Sequence, residues 1–187
     1  EAGIYVCRVV DRKVSRGQVY LVTDGGLHHH LAASGNFGQV VRKNYPVALT
    51  TRSIAGRISP GTVAGVECCY GAQVYAAGLI GVDIPIGQSY LEQGAYGYFG
   101  STTIAYGPAE GNGSADLLTQ YFLINALEGA SLGRACLQAR QKFVLGEKME
   151  DPINLKTLAQ FILLADPSLQ PCPAESPQAV ANAKAVD

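Results

Sequence analysis

Val63-Ala64-Gly65-Val66-Glu67-Cys68-Cys69-Tyr70-Gly71 is the stretch that decides how this chain is read. A short apolar run closed by a glycine turn reads as a buried strand, because a strand covered on both faces carries apolar residues without alternation. A cysteine followed by glycine at its end puts a thiol at the carboxyl edge of a sheet. Open α/β folds gather their reactive groups at that edge. Cys69 is therefore the candidate nucleophile. Cys68 points to the opposite face of an extended chain and reads as core.

Downstream of this stretch the pattern is that of an α/β fold. Residues 95–106 hold a second strand, from Tyr98-Phe99-Gly100 through Ile104-Ala105-Tyr106, and residues 107–113 form a glycine-rich loop. Ser114 reads as the N-cap of a helix over 115–127 that stops at Gly129. Ser131 caps the next helix, with Leu132, Ala135, Cys136, Ala139 and Phe143 on one stripe and Gly146 at its end. Asp151-Pro152 opens a third helix, expected to reach Leu164 before Asp166-Pro167 ends it. Beyond Pro171 the composition is that of a frayed tail.

Upstream, the first fifty residues are strand-rich. Residues 4–10 and 19–23 read as strands around the turn Ser15-Arg16-Gly17-Gln18, and Val40-Val41 and Val47-Ala48-Leu49 are shorter candidates. Residues 51–62 read as a junction loop. The expected organisation is a strand-rich segment over 1–50, this junction, an α/β segment over 63–172 and a tail over 173–187. The fold class is α/β, with a mixed or mostly parallel sheet flanked by helices. The start, already strand-like and without methionine, reads as a cut through a longer protein.

The bulk numbers exclude several classes. Fourteen basic against fifteen acidic residues give a net charge of −1, so no basic surplus exists to hold nucleic acid or an anionic membrane. Apolar residues make up 48% and charged residues 16%, enough to build a core rather than a disordered chain. Cysteines at 7, 68, 69, 136 and 172 are odd in number and lack the paired spacings of a disulfide framework or zinc knuckle. That usage favours a reducing, cytoplasmic setting.

Two stretches carry resemblances. Tyr5-Val6-Cys7-Arg8-Val9-Val10, Lys13-Val14-Ser15-Arg16-Gly17, Val22-Thr23-Asp24-Gly25-Gly26-Leu27-His28-His29-His30 and Ala33-Ser34-Gly35-Asn36-Phe37-Gly38 resemble the carboxyl-terminal β-domain of fold-type III pyridoxal-phosphate decarboxylases. The similarity is greatest to the subgroup found with exosortase systems. That resemblance implies pyridoxal 5'-phosphate as cofactor, held by a barrel and lysine upstream of this chain. It also implies a cofactor-facing role for Tyr96 in Gly94-Ala95-Tyr96. Glu67-Cys68-Cys69-Tyr70-Gly71, the strand region Ala95-Tyr96-Gly97-Tyr98-Phe99-Gly100-Ser101-Thr102, Gly129-Ala130-Ser131-Leu132-Gly133-Arg134-Ala135 and Leu164-Ala165-Asp166-Pro167-Ser168-Leu169 resemble caspase-like, gingipain-like cysteine peptidases. The two families share neither fold nor chemistry, so the chain reads as two pieces of different ancestry, in the manner of a chimera.

The peptidase resemblance implies thiolate attack by Cys69 on a peptide bond, a histidine to manage the proton, and backbone N–H donors for the oxyanion. His28, His29 and His30 follow a strand and precede Cys69 in the family's order, although Leu31 stands where the family has glycine. The N–H of Cys69 itself and that of a glycine are the candidate oxyanion donors, and Glu67, Gly71 and Asp116 the candidate substrate contacts. Asp83, Glu92 and Glu110 are further acids that could select a basic side chain. This reading needs no cofactor and takes a peptide or protein as substrate. The alternatives are a decarboxylase fragment that cannot hold its cofactor alone, or a catalytically inert α/β domain. No metal site is expected, since three adjacent histidines cannot converge on one ion. Gly35-Asn36-Phe37-Gly38 lacks the lysine a kinase glycine loop needs.

Overall fold

The computed structural model describes residues 8–15, 18–24, 49–108 and 112–173. The first two stretches form an antiparallel hairpin of β1 (Arg8–Ser15) and β2 (Gln18–Asp24). Arg8 pairs with Asp24 and Ser15 with Gln18, with a bulge between Val9 and Asp11. The first strand thus runs through the charged Asp11-Arg12-Lys13, where the sequence reading ended it at Val10. Hairpin pairing is carried by backbone hydrogen bonds and does not require both faces to be apolar. The candidate strand at 40–41 and most of that at 47–49 lie outside the described residues, as do His28, His29 and His30.

The rest is an α/β unit around a mixed three-stranded sheet, ordered β3 (Val63–Val66), β4 (Gly97–Ser101), β5 (Phe161–Ala165). β3 and β4 are parallel and β5 is antiparallel to β4. All five residues of β4 are buried, as befits the central strand. The helices are α1 (Ala77–Ile80), α2 (Ile86–Glu92), α3 (Ser114–Leu127), α4 (Leu132–Gly146) and α5 (Pro152–Gln160). Among the described residues, no helix is long and apolar enough to cross a membrane.

The two faces of the sheet carry separate cores. On one, Phe99 stacks on Phe122 of α3 at 4.4 Å between ring centroids and meets Phe161 of β5 at 5.5 Å. Leu132, Ala135, Ala139 and Phe143, the stripe expected of α4, complete that core. Ser131 caps α4 as expected, its hydroxyl accepting from Arg134 N. On the other face Tyr98, Cys68, Ala72 and Ile86 pack with Ile54. The stretch read as a junction loop is turn-rich, and Ile54 from it is buried in this second core.

In the α/β unit, three element boundaries differ from expectation. The third helix stops at Gln160 rather than Leu164, and the chain passes directly into β5. Phe161-Ile162-Leu163-Leu164 is an apolar run whose periodicity fits helix or strand equally, and pairing with β4 decides it. Arg140 of α4 secures the switch, donating from Nη1 to Leu158 O at 2.6 Å and from Nη2 to Phe161 O. β3 ends at Val66, short of Cys69, and β4 ends at Ser101, short of Tyr106. The short helices α1 and α2 were not anticipated. Pro85 at the start of α2 and Gly94 just beyond its end were its sequence signals.

Candidate functional site

The carboxyl edge of the parallel pair β3–β4 is where the chemistry-bearing side chains meet. After Val66 the chain turns over the end of β4. Tyr70 N–H donates to Thr103 O at 2.7 Å, Ala72 N–H to Ser101 O at 2.8 Å, and Gly71 N–H to Cys68 O at 3.2 Å. A Cβ at position 71 would stand 2.8 Å from Cys68 Sγ and 2.9 Å from Val66 Cγ1, so this tight closure demands glycine. Cys68 is fully buried in the second core as expected, but β3 ends at Val66, so the turn and not strand alternation places it there. Cys69 is half-buried on the other side, packed at the margin of the first core, with its thiol donating to Ala105 O at 3.5 Å.

Asp116 enters from the first turn of α3. A Cβ built on Gly107 would meet its Oδ1 at 2.7 Å, so glycine there makes room for the carboxylate beside the segment that accepts the Cys69 thiol. Burial, reinforced by the nearby charge of Asp116, pushes the Glu67 carboxyl up to about 7. Burial also raises Asp116, opposed by its own backbone hydrogen bond. The edge therefore holds a thiol and two carboxyls, one poised to change charge near neutral pH. Among the described residues, no group of three or more His, Cys, Asp or Glu side chains is placed to bind a metal ion.

Backbone strain marks the same edge. Tyr70 (φ 58°) and Ser114 (φ 45°) are the non-glycine residues with positive φ among those described. One directly follows Cys69 and the other precedes Asp116 by two positions. Such conformations cost of the order of 1–3 kcal/mol each and persist only where surroundings enforce them. Ser114 was expected to cap α3. The cap position is instead Gly113, and the Ser114 hydroxyl donates to Asn154 Oδ1 of α5 at 3.1 Å.

The structure thus places Glu67 near Asp116, and Cys69 and Gly71 in the turn that follows Glu67. The Gly71 N–H, a candidate oxyanion donor, is taken by Cys68 O. Asp83 is held away in an ion pair with Arg52 at 3.0 Å, and Glu92 accepts from Gln88. Glu110 lies outside the described residues. Sequence reasoning missed Thr103, Asn154 and Gln160, which support the edge from behind. The only signal for Asn154 and Gln160 was polar residues at helical spacing on α5, a pattern normally read as a solvated face, and Thr103 in the loop after β4 had none.

Tyr96, the residue the decarboxylase resemblance turns toward pyridoxal phosphate, packs half-buried against the first core, its N–H donating to Thr62 O at 2.8 Å. The ammonium groups of Lys142 and Lys156 lie over the rings of Tyr121 and Tyr106. These residues do not form a cradle for the cofactor on their own.

The fold and this edge define an α/β unit with a thiol and an acidic pair at the carboxyl end of its parallel strands. A curated protein, the L-glutamyl-[BtrI acyl-carrier protein] decarboxylase of Niallia circulans, is 38% identical to the chain over 104 residues. The match takes in 52% of this chain and 23% of the relative, so the chain spans about a quarter of that protein's length. A span of that share passes through the middle of a 187-residue chain wherever it begins, and so includes Tyr96. No protein-family model matches the chain, and no solved structure matches it.

Proposed function

We propose that the chain is a segment of a decarboxylase-like protein whose catalytic cofactor is held by polypeptide beyond these residues. The observation that carries this reading is the 38% identity to a decarboxylase, in a match longer than the strand-rich segment alone. The antiparallel hairpin of β1 and β2 is in keeping with a β-domain of such an enzyme. The substrate class follows from the relative: an amino-acyl group, glutamyl in the first instance, presented on a carrier protein. The segment supplies a wall of the site and not the decarboxylation step itself. The test combines the chain with a purified decarboxylase barrel and follows carbon dioxide release from glutamyl-loaded acyl-carrier protein. Release above that of the barrel alone supports the reading, and equal release overturns it.

A second reading, a cysteine-type peptidase or its degenerate relative, draws on the strained turn at Tyr70 that follows Cys69 at the carboxyl end of β3. In it the Cys69 thiolate attacks the peptide carbonyl and one of His28, His29 or His30 manages the proton. Glu67 and Asp116 receive a basic side chain. Its test is stoichiometric labelling by a peptidyl acyloxymethyl ketone with a basic residue next to the warhead. Labelling that survives Cys69→Ala rules out this role for the thiol. In both readings the segments 1–50 and 63–172 are separate units, with Ile54 of the joining stretch anchored in the second.

A further inference from the structure

The fully buried residues of helix α5 are all polar, while Leu158 packs partly buried against the first core. Asn154 (6% exposed), Thr157 (0%) and Gln160 (5%) are its buried residues, spaced three apart on one side. A helix of a small α/β unit ordinarily buries apolar residues, since a buried polar group without a partner costs about 1–3 kcal/mol. Two of the three do have partners: Asn154 Nδ2 donates to Glu147 Oε2 at 3.3 Å and to Lys148 O at 3.2 Å, and each of the two residues also has a partner that leads to the strained edge. Asn154 accepts the Ser114 hydroxyl, two residues before Asp116. Gln160 holds the loop after β4 by three bonds. Its backbone carbonyl accepts Thr102 N–H and the Thr102 hydroxyl, each at 3.0 Å, and its Oε1 accepts the Thr103 hydroxyl at 2.5 Å. Thr103 O in turn receives Tyr70 N–H at 2.7 Å, and Ala105, two residues on, accepts the Cys69 thiol.

We infer that Asn154 and Gln160 of α5 are positioning residues for the Cys69–Asp116 edge, holding from behind the two strained backbones that aim its thiol and its carboxylate. The inference rests on the thiol reading of that edge. Two atoms of the stripe support it by contrast. Gln160 Nε2 and Thr157 Oγ1 are buried with no hydrogen-bond partner among the described residues. If Gln160 served stability alone, an apolar side chain of similar length would serve better. Its Oε1, on Thr103, is the atom that gives the amide its use.

The test is alkylation of the 187-residue chain by iodoacetamide, followed at each cysteine by mass spectrometry across pH. Gln160→Met removes the Thr103 acceptor together with the unpartnered Nε2. It should change the Cys69 rate several-fold and move its pH profile, leave Cys68 and Cys136 unchanged, and not lower the melting temperature. Thr103→Val should reproduce the effect and Thr103→Ser restore the wild-type profile. Thr157→Val, on the same stripe but holding nothing, should leave Cys69 unaltered. An unchanged Cys69 profile in both Gln160→Met and Thr103→Val overturns the inference. So does a change shared with Cys68, or one reproduced by Thr157→Val. Failure of the peptidyl ketone to label the wild-type chain sinks the peptidase reading and leaves this comparison fully readable.

Discussion

Helices α4 and α5 lie on the same small domain and bury opposite kinds of surface. α4 buries Leu132, Ala135, Ala139 and Phe143, whereas α5 buries Asn154, Thr157 and Gln160. The first stripe is paid for by the hydrophobic effect and asks little of its neighbours beyond shape. The second gains nothing from leaving water unless each group meets a partner, so its residues are tied to particular atoms elsewhere. One face is chosen for holding the fold together, the other for what it holds in place.

Breaking the apolar face should have the largest effect. Phe143→Ala empties a fully buried site in the first core and should cost about 3–5 kcal/mol, read as a lower denaturant midpoint. At the edge that the polar face supports, Glu67→Gln should act with pH. The folded carboxyl is raised to about 7 from an ordinary 4.5, so the stability linked to its protonation is complete below 4.5 and lost as pH rises through 7. The variant should therefore exceed the parent by up to about 3 kcal/mol above pH 7, an advantage that vanishes near pH 4.5. A flat difference across that range would show that Glu67 is not buried beside Asp116.

Arg140→Leu tests the joint between the two faces, because this α4 side chain ties the carbonyls where α5 becomes β5. Loss of charge-assisted bonds to Leu158 O and Phe161 O should cost about 2 kcal/mol, seen as early amide exchange in β5. The smallest effect sharpens the comparison most. Thr157→Val should raise stability by about 1 kcal/mol, since it removes a buried hydroxyl that has no partner among the described residues. A loss of stability there would mean that this part of the polar stripe is bonded after all.

Local chemistry made much of the domain legible in advance. The apolar run at Val63–Val66, the cap at Ser131, the stripe of α4 and the Asp151-Pro152 helix start are set by residues within a few positions of one another, and all fall where the sequence puts them. Cys68 is buried as the sequence leads one to expect, although a turn beyond β3, rather than strand alternation, turns it inward. Tertiary structure alone decided that Phe161–Ala165 is a strand, because an apolar run takes its form from the partner it pairs with, here β4. It alone set Glu67 beside Asp116, and it alone tied Asn154 and Gln160 to Ser114 and Thr103, as much as 57 residues away in the chain. Hydrogen bonds and charges act through space, and which distant atoms they join is settled only when the sheet and its helices close around them.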